Sequence, residues 1–312
     1  MELPFHTLDV FTDSTFGGNP LGLFPSATQL PTGLMQRIAR EMNLSETVFL
    51  GPPETAEGTA RVRIFTPNVE VPFAGHPTVG TAVFLAHQLL ARQPAVSKKN
   101  TTELTIILEE NVGAVPVDVQ IEGGEPVFGR FTTAMLPEHR ESPHSCQDLA
   151  RMVGLSPEDV CPDGLYPEMV SCGLAYHVVP VRTIAAVRKA SLDMALWKTM
   201  LADSWAHHVY LVCMEAEGDE ADIRVRMFAP GSGVAEDPAT GSAAAALGGY
   251  LSKLDASEDG SLSWTVEQGI EMDRPSLIYV EADRSYGTTS AVRVGGRAIL
   301  VSSGTMRVAY DE

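Results

Sequence analysis

The chain has 312 residues, 44% of them hydrophobic and 20% charged, with a formal net charge of −18. This length suits two domains of ordinary size whose cores need no staples, and the composition is that of a globular protein. The acidic balance excludes broad binding to nucleic acid or to an anionic membrane, both of which need a positive face. A few local donors still suffice to hold one carboxylate. No apolar run reaches the roughly 18 residues of a membrane span, and Met1-Glu2-Leu3-Pro4 lacks the basic and apolar regions of a signal peptide.

In chain order, Phe5 to Val10 reads as a strand, followed by a helix with apolar positions Leu34, Ile38 and Met42. Thr47-Val48-Phe49-Leu50 suggests a buried strand, and Arg61 to Phe65 a short one ended by Pro67. A small-residue helix is expected from Val79 to Leu90, and a polar surface loop from Arg92 to Thr102 around Pro94. Strands follow at Leu104 to Leu108 and Val115 to Ile121, with Gly123-Gly124 near the turn between halves. The second half opens with a strand at Leu174 to Val181 and a helix at Ala185 to Leu201. His208 to Val212 and Arg224 to Phe228 read as strands, and Ala239 to Leu251 as a second small-residue helix. Trp264 to Glu267, Leu277 to Glu281 and Ala298 to Ser302 complete the strands.

Self-similarity organises this list. Arg61-Val62-Arg63-Ile64-Phe65-Thr66-Pro67 recurs as Arg224-Val225-Arg226-Met227-Phe228-Ala229-Pro230. His76-Pro77-Thr78-Val79-Gly80-Thr81-Ala82 is echoed by Asp237-Pro238-Ala239-Thr240-Gly241-Ser242-Ala243, after loops that differ by two residues. The expected architecture is α+β: two pseudo-symmetric halves, each a mostly antiparallel sheet wrapped around a central helix. The halves are placed at residues 1–128, joined by a C-terminal strand at 303–312, and at 129–302.

His76-Pro77 and Asp237-Pro238 each look like a helix start, with a polar cap and proline at the first helical position. Helix starts carry free N–H groups and the positive dipole end, which attract a carboxylate or phosphate. The small residues Gly75, Gly80, Gly241 and Ser242 allow a ligand to approach the backbone. Glu46 stands at the mouth of an apolar strand, where desolvation favours a proton-shuttling carboxyl. Taken singly, each feature also suits an ordinary capped helix or a solvated glutamate.

Several motifs together resemble those of the PhzF-type phenazine biosynthesis family. They are Gly17-Gly18-Asn19-Pro20, Asn43-Leu44-Ser45-Glu46-Thr47, Ala74-Gly75-His76-Pro77-Thr78, Glu236 to Ala243, Glu267-Gln268-Gly269, Arg274-Pro275-Ser276 and Val294-Gly295-Gly296-Arg297. They run in order from about residue 5 to 308. The resemblance implies a diaminopimelate epimerase-like fold with the site between two similar halves. It implies an isomerase without metal or organic cofactor, acting on a small carboxylate-bearing metabolite. By the same resemblance Glu46 is the catalytic acid/base, and His76 and Asp237 polarise the substrate and steer protons. Asn19, Gly75, Thr240, Gly241 and Ser242 are the candidate substrate contacts. A homodimer is expected from the family as well.

The related epimerases and proline racemases use two facing thiols, whereas Ala74-Gly75-His76 and Asp237-Pro238-Ala239 contain none. One-base proton relocation on Glu46 is therefore preferred to thiol racemisation. Cys146, Cys161, Cys172 and Cys213 show neither metal spacing nor a CxxC, and Cys172 and Cys213 lie in apolar strand-like runs. These cysteines point to a reducing compartment and hence a cytoplasmic protein. Gly231-Ser232-Gly233 lacks the rest of a dinucleotide fingerprint. Adjacent His207 and His208 point to opposite faces of a strand, which disfavours a metal pair. Trp197, Trp205 and Trp264 suit packing. The rival reading is a non-catalytic ligand-binding or interaction protein on the same scaffold; the co-occurrence of Glu46, His76 and Asp237 speaks against it.

Overall fold

The computed structural model describes residues 1–27, 30–92 and 102–309. The surface loop expected at Arg92 to Thr102 falls almost wholly outside the described residues. The chain divides into two compact units, Met1–Thr132 with Gly295–Glu312, and Thr133–Val294.

The first unit contains β1 (Glu2–Val10), β2 (Asn19–Phe24), α1 (Thr32–Met42), β3 (Glu46–Gly51), β4 (Ala60–Phe65), β5 (Glu70–Val71), α2 (Gly75–Arg92), β6 (Glu103–Glu110), β7 (Gly113–Glu122) and β8 (Glu125–Thr132). β1 runs antiparallel to β2, and β2 parallel to β3 through the crossover helix α1. β3 and β4 are antiparallel, β4 and β6 parallel through α2, and β6, β7 and β8 form a meander. The amphipathic helix α1 buries Leu34, Met35 and Ile38 against Phe24, Phe49 and Phe65. It stops where Asn43 turns left-handed, its amide bonding back to Ala39.

Helix α2 differs in kind. It touches β1, β2, β3, β6, β7 and β8, so the sheet wraps it rather than lying under it. At its closest approach there is no room for a side chain: a Cβ added at Gly80 would lie 2.7 Å from Val10 Cγ2 and 2.8 Å from Leu21 Cδ2.

The second unit contains β9 (Glu138–Glu141), α3 (Cys146–Met152), β10 (Glu168–Ser171), β11 (Ala175–Pro180), α4 (Ile184–Lys189), α5 (Met194–Met200), β12 (His208–Cys213), β13 (Ile223–Ala229), β14 (Val234–Asp237), α6 (Gly241–Leu254), β15 (Gly260–Gln268), β16 (Ser276–Ser285) and the start of β17 (Thr288–Arg307). Its pairing repeats that of the first unit. β10 is antiparallel to β11, β11 parallel to β12, β12 antiparallel to β13, and β13 parallel to β15. The Ala-rich helix α6 is buried along almost its whole length against β10, β11, β15 and β16. The far end of β17 belongs to the first unit, where it pairs with β1 from Ala298 to Arg307.

The strand ladders set the register of the repeat. Thr47 faces Phe65 as Val209 faces Phe228, so Glu46 and His208 hold equivalent places. Arg61 faces Glu109 as Arg224 faces Glu267. The central helices begin at Gly75 and Gly241. His76 therefore corresponds to Ser242, not to Asp237 as the residue-by-residue match suggests, because the loops before the two helices differ in length.

Three other expectations are corrected. Pro77 lies in the third position of α2, and Asp237-Pro238 precedes α6, whose cap residue is Thr240. The helix expected at Ala185 to Leu201 is two helices, because Asp193 caps a fresh start by accepting from the amides of Ala195 and Leu196. Gly123 and Gly124, with φ of 60° and 89°, form the β7–β8 hairpin inside the first unit.

Cys146 and Cys161 form a disulfide at the edge of the cluster built from α3, α4, α5, β11 and β12. This bond removes the cysteine-based argument for a reducing compartment. Cys213 is a buried core residue, as its strand suggested.

The paired arginines differ in burial. Arg224 is fully buried and binds Glu267 at 3.0 Å and Glu271 at 2.8 Å, while the Arg61 side chain is 21% exposed. Arg224→Met strands two acidic groups in the interior and is expected to cost about 3–5 kcal/mol in urea unfolding. Arg61→Met is expected to cost about 1 kcal/mol or less.

Candidate active site

The first unit assembles one group of the expected residues. β3 begins at Glu46, whose neighbours Thr47 to Leu50 are all buried, and β2 begins at the fully buried Asn19. The start of β3 lies beside Leu21 in the parallel ladder. Glu46 keeps 19% side-chain exposure, and its Oε2 lies 3.4 Å from Nδ1 of His76 in the first turn of α2. His76 is 4% exposed, and burial pushes its pKa down to about 3, so the ring is neutral at pH 7. Its Nε2 is buried and has no partner among the described residues. The amides of Gly75 and His76, at the helix start, have no intrahelical acceptor.

The second unit assembles the other group. Asp237, the last residue of β14, accepts from the Thr240 hydroxyl at 2.6 Å. Gln268, at the end of β15, clamps this turn through three bonds. Its Nε2 donates to the Asp237 carbonyl at 2.7 Å and to Thr240 Oγ1 at 3.0 Å, and its Oε1 accepts from the Thr240 amide at 3.2 Å. Gly241 and Ser242 open α6, and Ser242 Oγ lies 2.6 Å from the Tyr176 hydroxyl.

Residue reasoning missed the surroundings of this second group. Tyr176 on β11 and Tyr210 on β12 come from strands whose apolar neighbours mark them as core. The Tyr210 hydroxyl is buried without a partner among the described residues, and its pKa is raised by burial and by nearby Tyr176 and Asp237. His208, whose ring centroid is 5.6 Å from that of Tyr176, is held down to about 4, mainly by burial and then by His207. A buried hydroxyl in a strand signals a polar site only once its facing partner is known.

Among the described residues, no group of three or more His, Cys, Asp or Glu could hold a metal ion. The two free thiols are poor nucleophiles: burial raises Cys172 to about 12 and also raises Cys213.

A family model described as phenazine biosynthesis-like protein matches residues 8–304. The chain belongs to this PhzF-type family. An uncharacterized isomerase of Mesorhizobium japonicum is 39% identical to it over 301 residues, covering 96% of each chain. Trans-2,3-dihydro-3-hydroxyanthranilate isomerase of Pseudomonas fluorescens is 32% identical over 299 residues, covering 96% of this chain and 97% of that protein. Among solved structures, a PhzF-family phenazine biosynthesis protein of Bacillus anthracis has a TM-score of 0.85 at 24% identity, covering 99% of this chain and 100% of that one. A hydroxyproline epimerase of Agrobacterium vitis has a TM-score of 0.62 at 12% identity, covering 98% and 91%. These last two likenesses show the fold, which is the α+β arrangement expected. The PhzF-type chain described here is an isomerase, as its curated relatives are named. Among the described residues no helix is long and apolar enough to cross a membrane.

The buried histidines set an acid limit to stability. Burial lowers His76 to about 3, and lowers His177 and His208 to about 4, from 6.5. The unfolded chain therefore binds more protons below pH 6.5. The stability these rings contribute is full above that pH and is lost as pH falls towards 4 and 3. Each contributes a slope of up to about 1.4 kcal/mol per pH unit. Urea unfolding at pH 7, 6 and 5 is expected to show this fall, and His177→Asn to reduce its slope. In ring NMR the same three histidines are expected not to titrate between pH 8 and 5.

Proposed function

We propose that this PhzF-type isomerase moves a proton on a small carboxylate-bearing metabolite, with Glu46 as the single acid/base and without metal or organic cofactor. The observation that carries the reading is the partly exposed Glu46 carboxyl, 3.4 Å from a buried neutral imidazole at a helix start. Glu46 takes the proton from one substrate carbon, becomes a carboxylic acid, and returns that proton to another position. The electron pair left behind shifts through the substrate, so no oxidant or reductant is needed.

His76 contributes through its neutrality. An imidazolium would pin Glu46 in its charged form, whereas a neutral ring orients the carboxyl through Nδ1 and leaves Nε2 for the substrate. The first-turn amides of either central helix, Gly75–His76 or Gly241–Ser242, lack intrahelical acceptors and suit a substrate carboxylate or charge developing on it. Asp237, held by Thr240, is read as the second proton-steering group. The raised thiols of Cys172 and Cys213 and the disulfide between Cys146 and Cys161 leave the thiol alternative without support.

Trans-2,3-dihydro-3-hydroxyanthranilate, named for a relative 32% identical to this chain, is the first substrate to test. Other small cyclic carboxylates follow, ranked by thermal stabilisation of the protein. Glu46→Gln is expected to lower turnover by at least about 10²–10⁴-fold, with an unchanged circular dichroism spectrum and melting point. Full activity of this variant on a substrate turned over by the wild type overturns the role given to Glu46.

A further inference from the structure

Glu109 and Glu110 end β6 side by side, and adjacent strand residues point to opposite faces. Glu109 turns to a loop, where it accepts from the amides of Glu54 at 2.5 Å and Thr55 at 2.8 Å. Glu110 turns inward to α2. It is 5% exposed, and its Oε1 lies 2.7 Å from the Thr78 hydroxyl, which is also 2.8 Å from the Ala74 carbonyl.

One hydroxyl hydrogen shared between two acceptors bonds each of them only weakly. The Ala74 carbonyl can only accept, so if Thr78 gives its hydrogen to Glu110 the contact with Ala74 has none, and if it gives it to Ala74 the hydrogen between Thr78 and Glu110 must come from Glu110. A carboxylate there would face lone pair with lone pair; a carboxylic acid supplies the missing hydrogen. The other oxygen, Oε2, is buried with no partner among the described residues, a poor place for a full charge.

The repeat gives independent support. Glu267 plays the part of Glu109, accepting from the loop amides of Glu217 and Gly218. The next residue is Gln268, in the place of Glu110. Its amide is a permanent donor to the Thr240 hydroxyl, which passes its own hydrogen to Asp237. The two relays share the strand position of their donor but not the threonine: Thr240 is the cap residue before α6, whereas Thr78 is the fourth residue of α2.

We propose that Glu110 is a positioning residue that works as a neutral carboxylic acid, donating to Thr78 and so fixing the turn of α2 that carries Gly75 and His76. The groups facing it are the Thr78 hydroxyl from α2 and Arg61 from β4; on β7 its partner is Gly113, which carries no charge. Burial, the largest cause, pushes the Glu110 carboxyl up to about 8; Arg61 pulls the other way, as does any hydrogen that Thr78 gives to the carboxylate. The acid is neutral at pH 7 and the relay opens as it ionises. Because the folded value lies above the ordinary 4.5, its stabilising effect is full below about 4.5, declines as pH rises, and is gone above about 8. The residue bears on the proton shift proposed for Glu46 only through His76, so its test is made without turnover and stands or falls separately from Glu46→Gln.

The test uses the full chain labelled with carboxyl-13C glutamate, together with amide hydrogen exchange of the segment 74–82, corrected for the intrinsic rate at each pH. One glutamate carboxyl is expected to remain protonated at pH 7, to titrate near pH 8, and to vanish in Glu110→Gln. Protection of segment 74–82 is expected to fall several-fold between pH 7 and 9 in the wild type. It should stay level in Glu110→Gln, whose amide keeps the donor as Gln268 does, and be low at both pH values in Thr78→Val. Full ionisation of every glutamate at pH 7, or the same loss of protection in Glu110→Gln and the wild type, overturns the proposal.

Discussion

Enclosing a helix within a sheet leaves its first-turn amides as the polar surface of an otherwise apolar interior. Those amides have no intrahelical acceptor, and an unmet backbone donor away from water is costly. Helices α2 and α6 are both placed this way, with Gly75–His76 and Gly241–Ser242 at their starts. The same constraint makes the helices small-sided and their starts demanding. Gly80 in α2 and the alanines of α6 allow the sheet to close around each helix, and the first-turn amides become a natural seat for an anion. Fold and candidate site are thus consequences of one packing choice made twice.

The frame is repeated, but its chemistry is not. At equivalent positions Glu46 answers to His208, His76 to Ser242 and Glu110 to Gln268, while Arg61 and Glu109 are matched by Arg224 and Glu267. The matched groups tie strands and loops together and lie behind the helix starts; the unmatched ones stand at them. In both halves the matched glutamate accepts from loop amides, whereas the arginine pairs with it only in the second half, Arg61 pairing with Glu54 instead. In the proposed reaction the base stands in one half only, at Glu46, while the other half holds Asp237 together with histidine, serine and tyrosine.

Much of this was legible because it rests on local pattern. The strand blocks alternate, the repeated arginines stand at fixed spacing, and the motifs around Glu46, His76 and Asp237 are dense in small residues. What was not legible depends on partners distant in sequence. The repeat register slipped because unequal loops separate β4 from α2 and β13 from α6, so a residue match aligned two prolines in different positions. The break between α4 and α5 was hidden because Asp193 reads as a tolerable helical residue until its carboxylate is seen capping the next turn. Glu109 and Glu110 are neighbouring acids at a strand end, and only the facing loop and Thr78 separate their roles. Cys146 and Cys161 carry no spacing signal, since their approach is made by α3 and the turn before β10.

The neutrality of the groups around Glu46 matters as much as their presence. In the proposed reaction its carboxyl must pass between charged and uncharged forms without either being strongly preferred. A cationic neighbour favours the carboxylate and weakens it as an acid for the return step; an anionic neighbour does the reverse. The first turn of α2 avoids both. His76 is kept uncharged by burial, and Glu110, two residues' reach away at Thr78, is held as an acid rather than a carboxylate. The remaining fixed field comes from helix amides, which are dipoles and do not titrate. The groups whose charge burial controls here are thus the neighbours of Glu46, His76 directly and Glu110 through Thr78.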